Sequence, residues 1–169
     1  MDRESVMTGT TRIDLFKEDM KFSAGHFTIF SADSRENIHG HNFTLRVEID
    51  AAISEDGITF DYRPVKRALA QVCHGLNEIL LLPAHNPHLV IEETDQEVVA
   101  RFGAERLVFL KRDVLLLPLR NITLEELSIY LLDVIVPVLT QDPAHVVKCV
   151  VTRVSSGPGQ SASSQWTAG

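Results

Sequence analysis

Hydrophobic and polar residues alternate most cleanly between Phe43 and Asp50. Phe43, Leu45, Val47 and Ile49 are apolar, while Thr44, Arg46, Glu48 and Asp50 are polar. A period of two over this length predicts a half-buried strand, and residues 41–53 are read as one. Residues 13–30 give an earlier strand that ends in Phe27-Thr28-Ile29-Phe30. After the turn signal Glu55-Asp56-Gly57 the period changes. Val65, Leu69, Val72, Leu76 and Leu80 recur at spacings of four, three, four and four, one face of a helix that opens at Pro64. Pro83 to Pro87 breaks it. Leu89-Val90-Ile91, residues 98–102 and residues 106–110 then read as short strands, with Gly103-Ala104-Glu105 as a hairpin turn. Thr123 with Glu126 three residues on is a capping box, and Leu127, Leu131, Val134 and Val138 supply a second helix face. Residues 146–154 read as a last strand. Residues 1–11 carry no pattern and are expected to be a disordered tail. Gly157 to Ser163 reads as a frayed tail, although Gly-rich backbone with hydroxyls can also wrap an anion.

With 169 residues, 44% hydrophobic and 23% charged, the chain has the size and composition of one globular domain. A net charge of −7 argues against a general nucleic-acid footprint. No apolar run is long enough to span a bilayer, so no membrane partner is expected. Cys73 and Cys149 form no disulfide framework. They read as buried thiols in a reducing, cytoplasmic setting.

The chemistry gathers at Glu36-Asn37-Ile38-His39-Gly40-His41, with His26 upstream. Residues i and i+2 of a strand point to one face, with Cα atoms roughly 6.6 Å apart. Two imidazoles so placed can converge on one ion, and Gly40 leaves room between them. His26 is the natural third ligand, and three histidines with an open fourth position are a catalytic zinc pattern. Lys111-Arg112 reads either as a charged strand end or as a phosphate contact.

Phe22-Ser23-Ala24-Gly25-His26, followed by His39-Gly40-His41-Asn42-Phe43, resembles the 6-pyruvoyl-tetrahydropterin synthase and 6-carboxy-tetrahydropterin synthase family. Gly57-Ile58-Thr59-Phe60-Asp61-Tyr62 is similar to that family's step into the first helix, and Asn121-Ile122-Thr123-Leu124-Glu125 to the opening of its second. The resemblance covers roughly residues 13–82 and 119–154. It implies an α+β, tunnelling fold: a four-stranded antiparallel sheet with two helices on one face, here in a single domain with an inserted β-hairpin region at 84–118. It also implies Zn²⁺ on His26, His39 and His41, with Thr123 and Glu125 as substrate-binding residues. Family members close their sheet edges by assembly, so a homo-oligomer, a trimer or hexamer, is expected.

Four positions depart from the family. Arg35 stands where most members carry a nucleophile-like cysteine, and Glu36 fits a variant class with Glu-x-x-His-Gly-His. Asn77-Glu78 replaces an Asp-His pair after the first helix, and the pterin-anchoring glutamate of the last strand falls near Val151. The catalytic candidates are therefore Glu36 and Glu78. The expected reaction is side-chain, retro-aldol cleavage of 7,8-dihydroneopterin triphosphate or a related dihydropterin. The alternatives are a 6-carboxy-tetrahydropterin synthase of queuosine biosynthesis and a zinc- and pterin-binding protein without chemistry.

Overall fold

The computed structural model describes residues 9–169. Among these the chain forms ten strands and two α-helices. The strands are β1 (Gly9–Leu15), β2 (Lys21–His26), β3 (His39–Ile53), β4 (Ile79–Pro83), β5 (Leu89–Glu93), β6 (Glu97–Phe102), β7 (Glu105–Leu110), β8 (Val114–Leu117), β9 (Val147–Gly157) and β10 (Gln160–Thr167). The helices are α1 (Arg63–Gly75) and α2 (Leu124–Thr140). None is long and apolar enough to cross a membrane.

β3 is the spine. One edge pairs with β2 near its start, with His26 opposite His39 and Phe22 opposite Phe43, and then with β1. Its other edge pairs with β9, which carries β10 beyond it. Phe43, Leu45, Val47, Ile49 and Ala51 alternate inward and are buried, as the period-two pattern predicts. They meet Val65, Leu69 and Cys73 of α1 and Leu127, Leu131, Ile135 and Leu139 of α2 in the main core. Both helices thus share one face of the sheet. Burial pushes the Cys73 thiol up to about 12, so Cys73 is an inert core residue, while Cys149 is only partly covered.

The architecture is α+β, but the sheet differs from the expected four antiparallel strands. It has seven, ordered β10-β9-β3-β2-β4-β8 with β1 also on β3, and the β2–β4 and β4–β8 pairs are parallel. Helix α1 stops at Gly75, not at Leu80. The run Ile79–Pro83 is a buried strand, and its leucines continue the helical spacing only by coincidence. On α2 the buried stripe runs through Leu127, Leu131, Ile135 and Leu139, while Val134 and Val138 are half-buried beside it. The expected tail at 1–11 lies outside the described residues at 1–8, and Gly9 to Thr11 open β1. The expected tail at 157–163 is the turn and first half of the β9–β10 hairpin.

Residues 89–110 fold as a separate three-stranded sheet, β5-β6-β7. Leu89, Val98, Ala100 and Phe102 pack with Phe27, Ile29 and Leu82 in a second core beside the main one. Phe27 and Ile29 belong to the segment that leaves β2 after His26. The small sheet is therefore seated directly on the loop that carries Glu36.

Candidate metal centre

The three histidines come together. His26, His39 and His41 project from the inward face of the β2–β3 ladder, and their ligand atoms lie within 4.8 Å of one another. Gly40 between two of them does not take a positive φ. A Cβ there would stand 3.3 Å from the Ala24 carbonyl oxygen, so glycine serves the close approach of β2.

Each outer histidine is held by a backbone carbonyl. His26 Nδ1 lies 2.9 Å from the Ile122 carbonyl oxygen, and His39 Nδ1 lies 2.9 Å from that of Asn37. A carbonyl only accepts, so each Nδ1 carries the proton and each Nε2 keeps a lone pair. His26 is 6% exposed, and its Nε2 is buried with no hydrogen-bond partner. Burial pushes the His26 pKa down, with the neighbouring imidazoles acting the same way, against the pull of the Ile122 carbonyl. A buried acceptor without a donor costs about 1–3 kcal/mol. His39 Nε2 lies 3.1 Å from His41 Nε2, close to the roughly 3.4 Å expected between nitrogens bound at about 2.1 Å around one tetrahedral ion. An orphaned nitrogen, a close nitrogen pair and carbonyl-fixed tautomers together suit a zinc-type cation.

A cavity of about 280 Å³ opens on these nitrogens. It is lined by Thr28 and Glu36 of the loop, by Thr123 and Glu125 of α2, and by Ser156, Gln160 and Ser161 of the β9–β10 hairpin. Glu36 is fixed by a reciprocal pair with Thr28. Its N–H donates to the Thr28 carbonyl at 2.8 Å, and its Oε2 accepts from the Thr28 N–H at 2.9 Å. Burial raises the Glu36 pKa, but the Thr28 bonds and the nearby His39 and His26 outweigh it, so the carboxyl sits below its ordinary value. Asn121 locks the loop to the start of α2, donating to the Ile29 carbonyl at 2.7 Å and accepting from the Ile29 N–H at 3.1 Å.

Thr123 caps α2 through a 3.4 Å contact from the Glu126 N–H. The reciprocal half of the expected capping box is not made, because Glu126 turns to the Arg120 N–H and guanidinium. The structure brings Glu36, Thr123 and Glu125 to the histidines. It places Glu78 elsewhere, in a separate cavity of about 530 Å³ with Ser23, Gly25, Gly40, Asn42 and Asp113. His41 borders both cavities. Val151 lies opposite Glu48 and Gln165, away from the site, and Ser156 is the β9 residue that reaches it. Lys111 and Arg112 are paired with Glu93 and Asp113 in a 3-10 turn and line neither cavity. Thr28 and Ser156 escaped sequence reasoning, while Gln160 and Ser161 lie in the segment read as a frayed tail or an anion-wrapping backbone. The one available signal was the glycine-and-hydroxyl composition of the hairpin.

The model of the 6-pyruvoyl tetrahydropterin synthase family matches residues 15–165. A Methanocaldococcus jannaschii protein, provisionally named a 6-carboxy-5,6,7,8-tetrahydropterin synthase, is 25% identical over 144 residues, covering 85% of this chain and 88% of its own. Among solved structures, 6-pyruvoyl tetrahydropterin synthase from Plasmodium vivax superposes with a TM-score of 0.87 at 24% identity, covering 95% of this chain and 99% of its own. A catalytic-residue variant of that enzyme, with glutamate changed to alanine, superposes with a TM-score of 0.86 at 23% identity over the same shares. At these identities the structural likeness is one of fold.

Proposed function

The chain belongs to the 6-pyruvoyl tetrahydropterin synthase family, whose members are enzymes acting on pterins, and from that premise we propose that it cleaves the side chain of 7,8-dihydroneopterin triphosphate or a related dihydropterin. The observation that carries this reading is one cavity holding three convergent imidazoles and, within the same walls, the Glu36 carboxylate fixed on the Thr28 N–H. His26, His39 and His41 would hold Zn²⁺, which when bound supplies Lewis-acid polarisation of substrate oxygens.

The protein's own part is proton handling and placement. Thr28 holds Oε2 of Glu36, which leaves Oε1 to take a proton from a side-chain hydroxyl of the substrate. As that O–H proton leaves, the oxygen forms a carbonyl and the adjacent carbon–carbon bond breaks. The bonding pair moves to the carbon attached to the pterin, where the ring's C=N can delocalise it. A proton returned to that carbon gives the 6-hydroxymethyl-dihydropterin, and the aldehyde fragment carries the triphosphate away. Glu125 suits the donor edge of a pterin ring, because a carboxylate accepts two parallel N–H bonds. Thr123 lies beside it in the same wall. The glutamate named as catalytic in the Plasmodium vivax enzyme supports a carboxylate in this role.

A second reading, 6-carboxy-tetrahydropterin synthase chemistry of the queuosine type, is favoured by the name of the archaeal relative. A third, zinc and pterin binding without turnover, gains from Val151 standing near the expected anchoring glutamate and from Ser156, not a carboxylate, being the β9 residue that lines the cavity. The decisive experiment incubates the zinc-loaded protein with dihydroneopterin triphosphate and identifies the pterins by mass. A hydroxymethyl product supports the first reading, a carboxy product the second, and unchanged substrate the third. We also place the active form in a homo-oligomer, because β8 and β10 leave the sheet with open edges. A monomeric mass by light scattering at micromolar concentration counts against that assembly.

A further inference from the structure

Arg35 stands next to Glu36 but turns away from the cavity. Its guanidinium lies 5.1 Å from the centre of the Phe27 ring and 5.9 Å from that of Phe102. Its side chain is only 14% exposed. Each of the three guanidinium nitrogens donates a hydrogen bond. Nε donates to Glu105 Oε2 at 2.7 Å, Nη2 donates to the same oxygen, and Nη1 donates to the Glu36 carbonyl at 2.7 Å. Phe102 and Glu105 flank the β6–β7 turn at the tip of the small sheet, and Phe27 directly follows His26. One side chain thus joins three segments: the exit from β2, the Glu36 loop and the turn of the small sheet.

We propose that Arg35 is a positioning residue for Glu36, through which the β6–β7 turn holds the Glu36 carboxylate on Thr28 and over the three imidazoles. Glu36 sits in the loop between β2 and β3, just past an isolated antiparallel bridge of Ile29 with Arg35 that fixes the backbone but leaves the Glu36 side chain free to choose a rotamer. Its N–H and carboxylate are tied to Thr28, and its remaining backbone group, the carbonyl, is tied to Arg35. Arg35 in turn is fixed by a charge-assisted fork and two aromatic faces, which a guanidinium fills better than an ammonium. The more exposed Arg46 also forks onto a carboxylate and lies over one ring, but Arg35 adds burial, a second ring and the bond to the Glu36 carbonyl. The small sheet thereby serves the site, since its turn carries the Glu105 carboxylate that orients the loop.

The proposal rests on Glu36 being the catalytic base, so its test includes a readout independent of turnover. Amide hydrogen exchange at Thr28, whose N–H donates to Glu36, is measured by NMR on the zinc-loaded protein and on Arg35→Met, Arg35→Lys and Glu105→Gln. Arg35→Met keeps apolar bulk between the two rings and removes the hydrogen bonds. Exchange at Thr28 should speed up about tenfold or more, the weight of one charge-assisted hydrogen bond, with Val47 and Ile49 in β3 unchanged. Glu105→Gln should act in the same direction but less, and it carries the test if Arg35→Met does not fold. Arg35→Lys should restore part of the protection. Turnover in Arg35→Met should fall by up to about 10²-fold, the cost of a small misplacement, with KM and zinc content unchanged. Unchanged Thr28 exchange in the folded variants overturns the proposal, whatever turnover does. So does a rise spread evenly over β3, which marks a merely structural role. Local opening at Thr28 in a protein with no turnover on any dihydropterin upholds the positioning and removes the base reading of Glu36 instead.

Discussion

Glu36 and Glu78 carry the same carboxylate near the same strand pair, yet the two sit in different surroundings. Glu36 hangs from the loop that joins β2 to β3 and shares a cavity with His26, His39 and His41. Glu78 follows α1, donates its N–H to the Ser23 carbonyl at 2.6 Å, and lines a cavity with Ser23, Gly25, Gly40 and Asn42. Those four alternate with the inward residues of β2 and β3, so the cavity opens toward the sheet's other face. The pair teaches that sequence distance to a ligand is a fair guide when a short loop connects the residues, and a poor one when a whole helix intervenes.

The largest effect should come from the cradle the comparison turns on. His39→Ala and His26→Ala are each expected to take bound zinc from about one per chain to near none, since three protein ligands are the minimum for a catalytic site. Metal analysis after dialysis checks this. Full occupancy in both variants would detach Glu36 from any metal and erase the distinction between the two cavities.

Next in size is the contrast itself. Losing a general base costs about 10²–10⁴-fold in rate. Glu36→Gln should lower kcat by that order and keep zinc, whereas Glu78→Gln should leave kcat within a few-fold of the parent. The opposite ranking would transfer the base to Glu78.

Much of the cradle was legible, and for a physical reason. Two histidines at i and i+2 on an alternating strand share a face in any register, so His39 and His41 needed no tertiary information. Glu36 followed from a three-residue tether. Arg35 did not, because only the folded small sheet puts Phe102 and Glu105 against it. The same limit hid β4 and β8, whose parallel pairing joins residues far apart in sequence. Ile79–Pro83 is a short buried strand, and a continuous apolar run carries no period that separates strand from helix. β10 was missed for the opposite reason: Gln160 to Gln165 is mostly polar, and its packing rests on Trp166 and a Ser164–Ser128 hydroxyl contact of 2.7 Å.

A gentler probe is pH on metal-free protein. The His26 pKa is lowered in the fold, first by burial. The unfolded chain, with an ordinary value near 6.5, then binds a proton that the folded chain refuses. Stability contributed by neutral His26 is therefore full above about pH 6.5 and declines as pH falls below it. The Tm of the metal-free protein should drop between pH 7.5 and 5.5, and His26→Gln should flatten that dependence. A dependence of equal size in His26→Gln assigns it to other groups.

The smallest effect probes the other cavity. Glu78 has φ of 57°, the only non-glycine residue with positive φ among those described. A left-handed conformation costs an ordinary L-residue roughly 1–2 kcal/mol, and asparagine less, because its short side chain bonds locally. Strain of this kind persists either because the surroundings impose it or because function uses the residue. The N–H of residue 78 bonds Ser23 through the backbone, so the turn should survive a change of side chain. Glu78→Asn is therefore expected to keep the fold, to raise stability by up to about 1 kcal/mol, and to raise Tm by about 2–4 °C at most for a chain of this size. Turnover should be unchanged. If Tm rises but turnover collapses, the strain at residue 78 has been holding a functional carboxylate, and the two glutamates act together instead of standing in contrast.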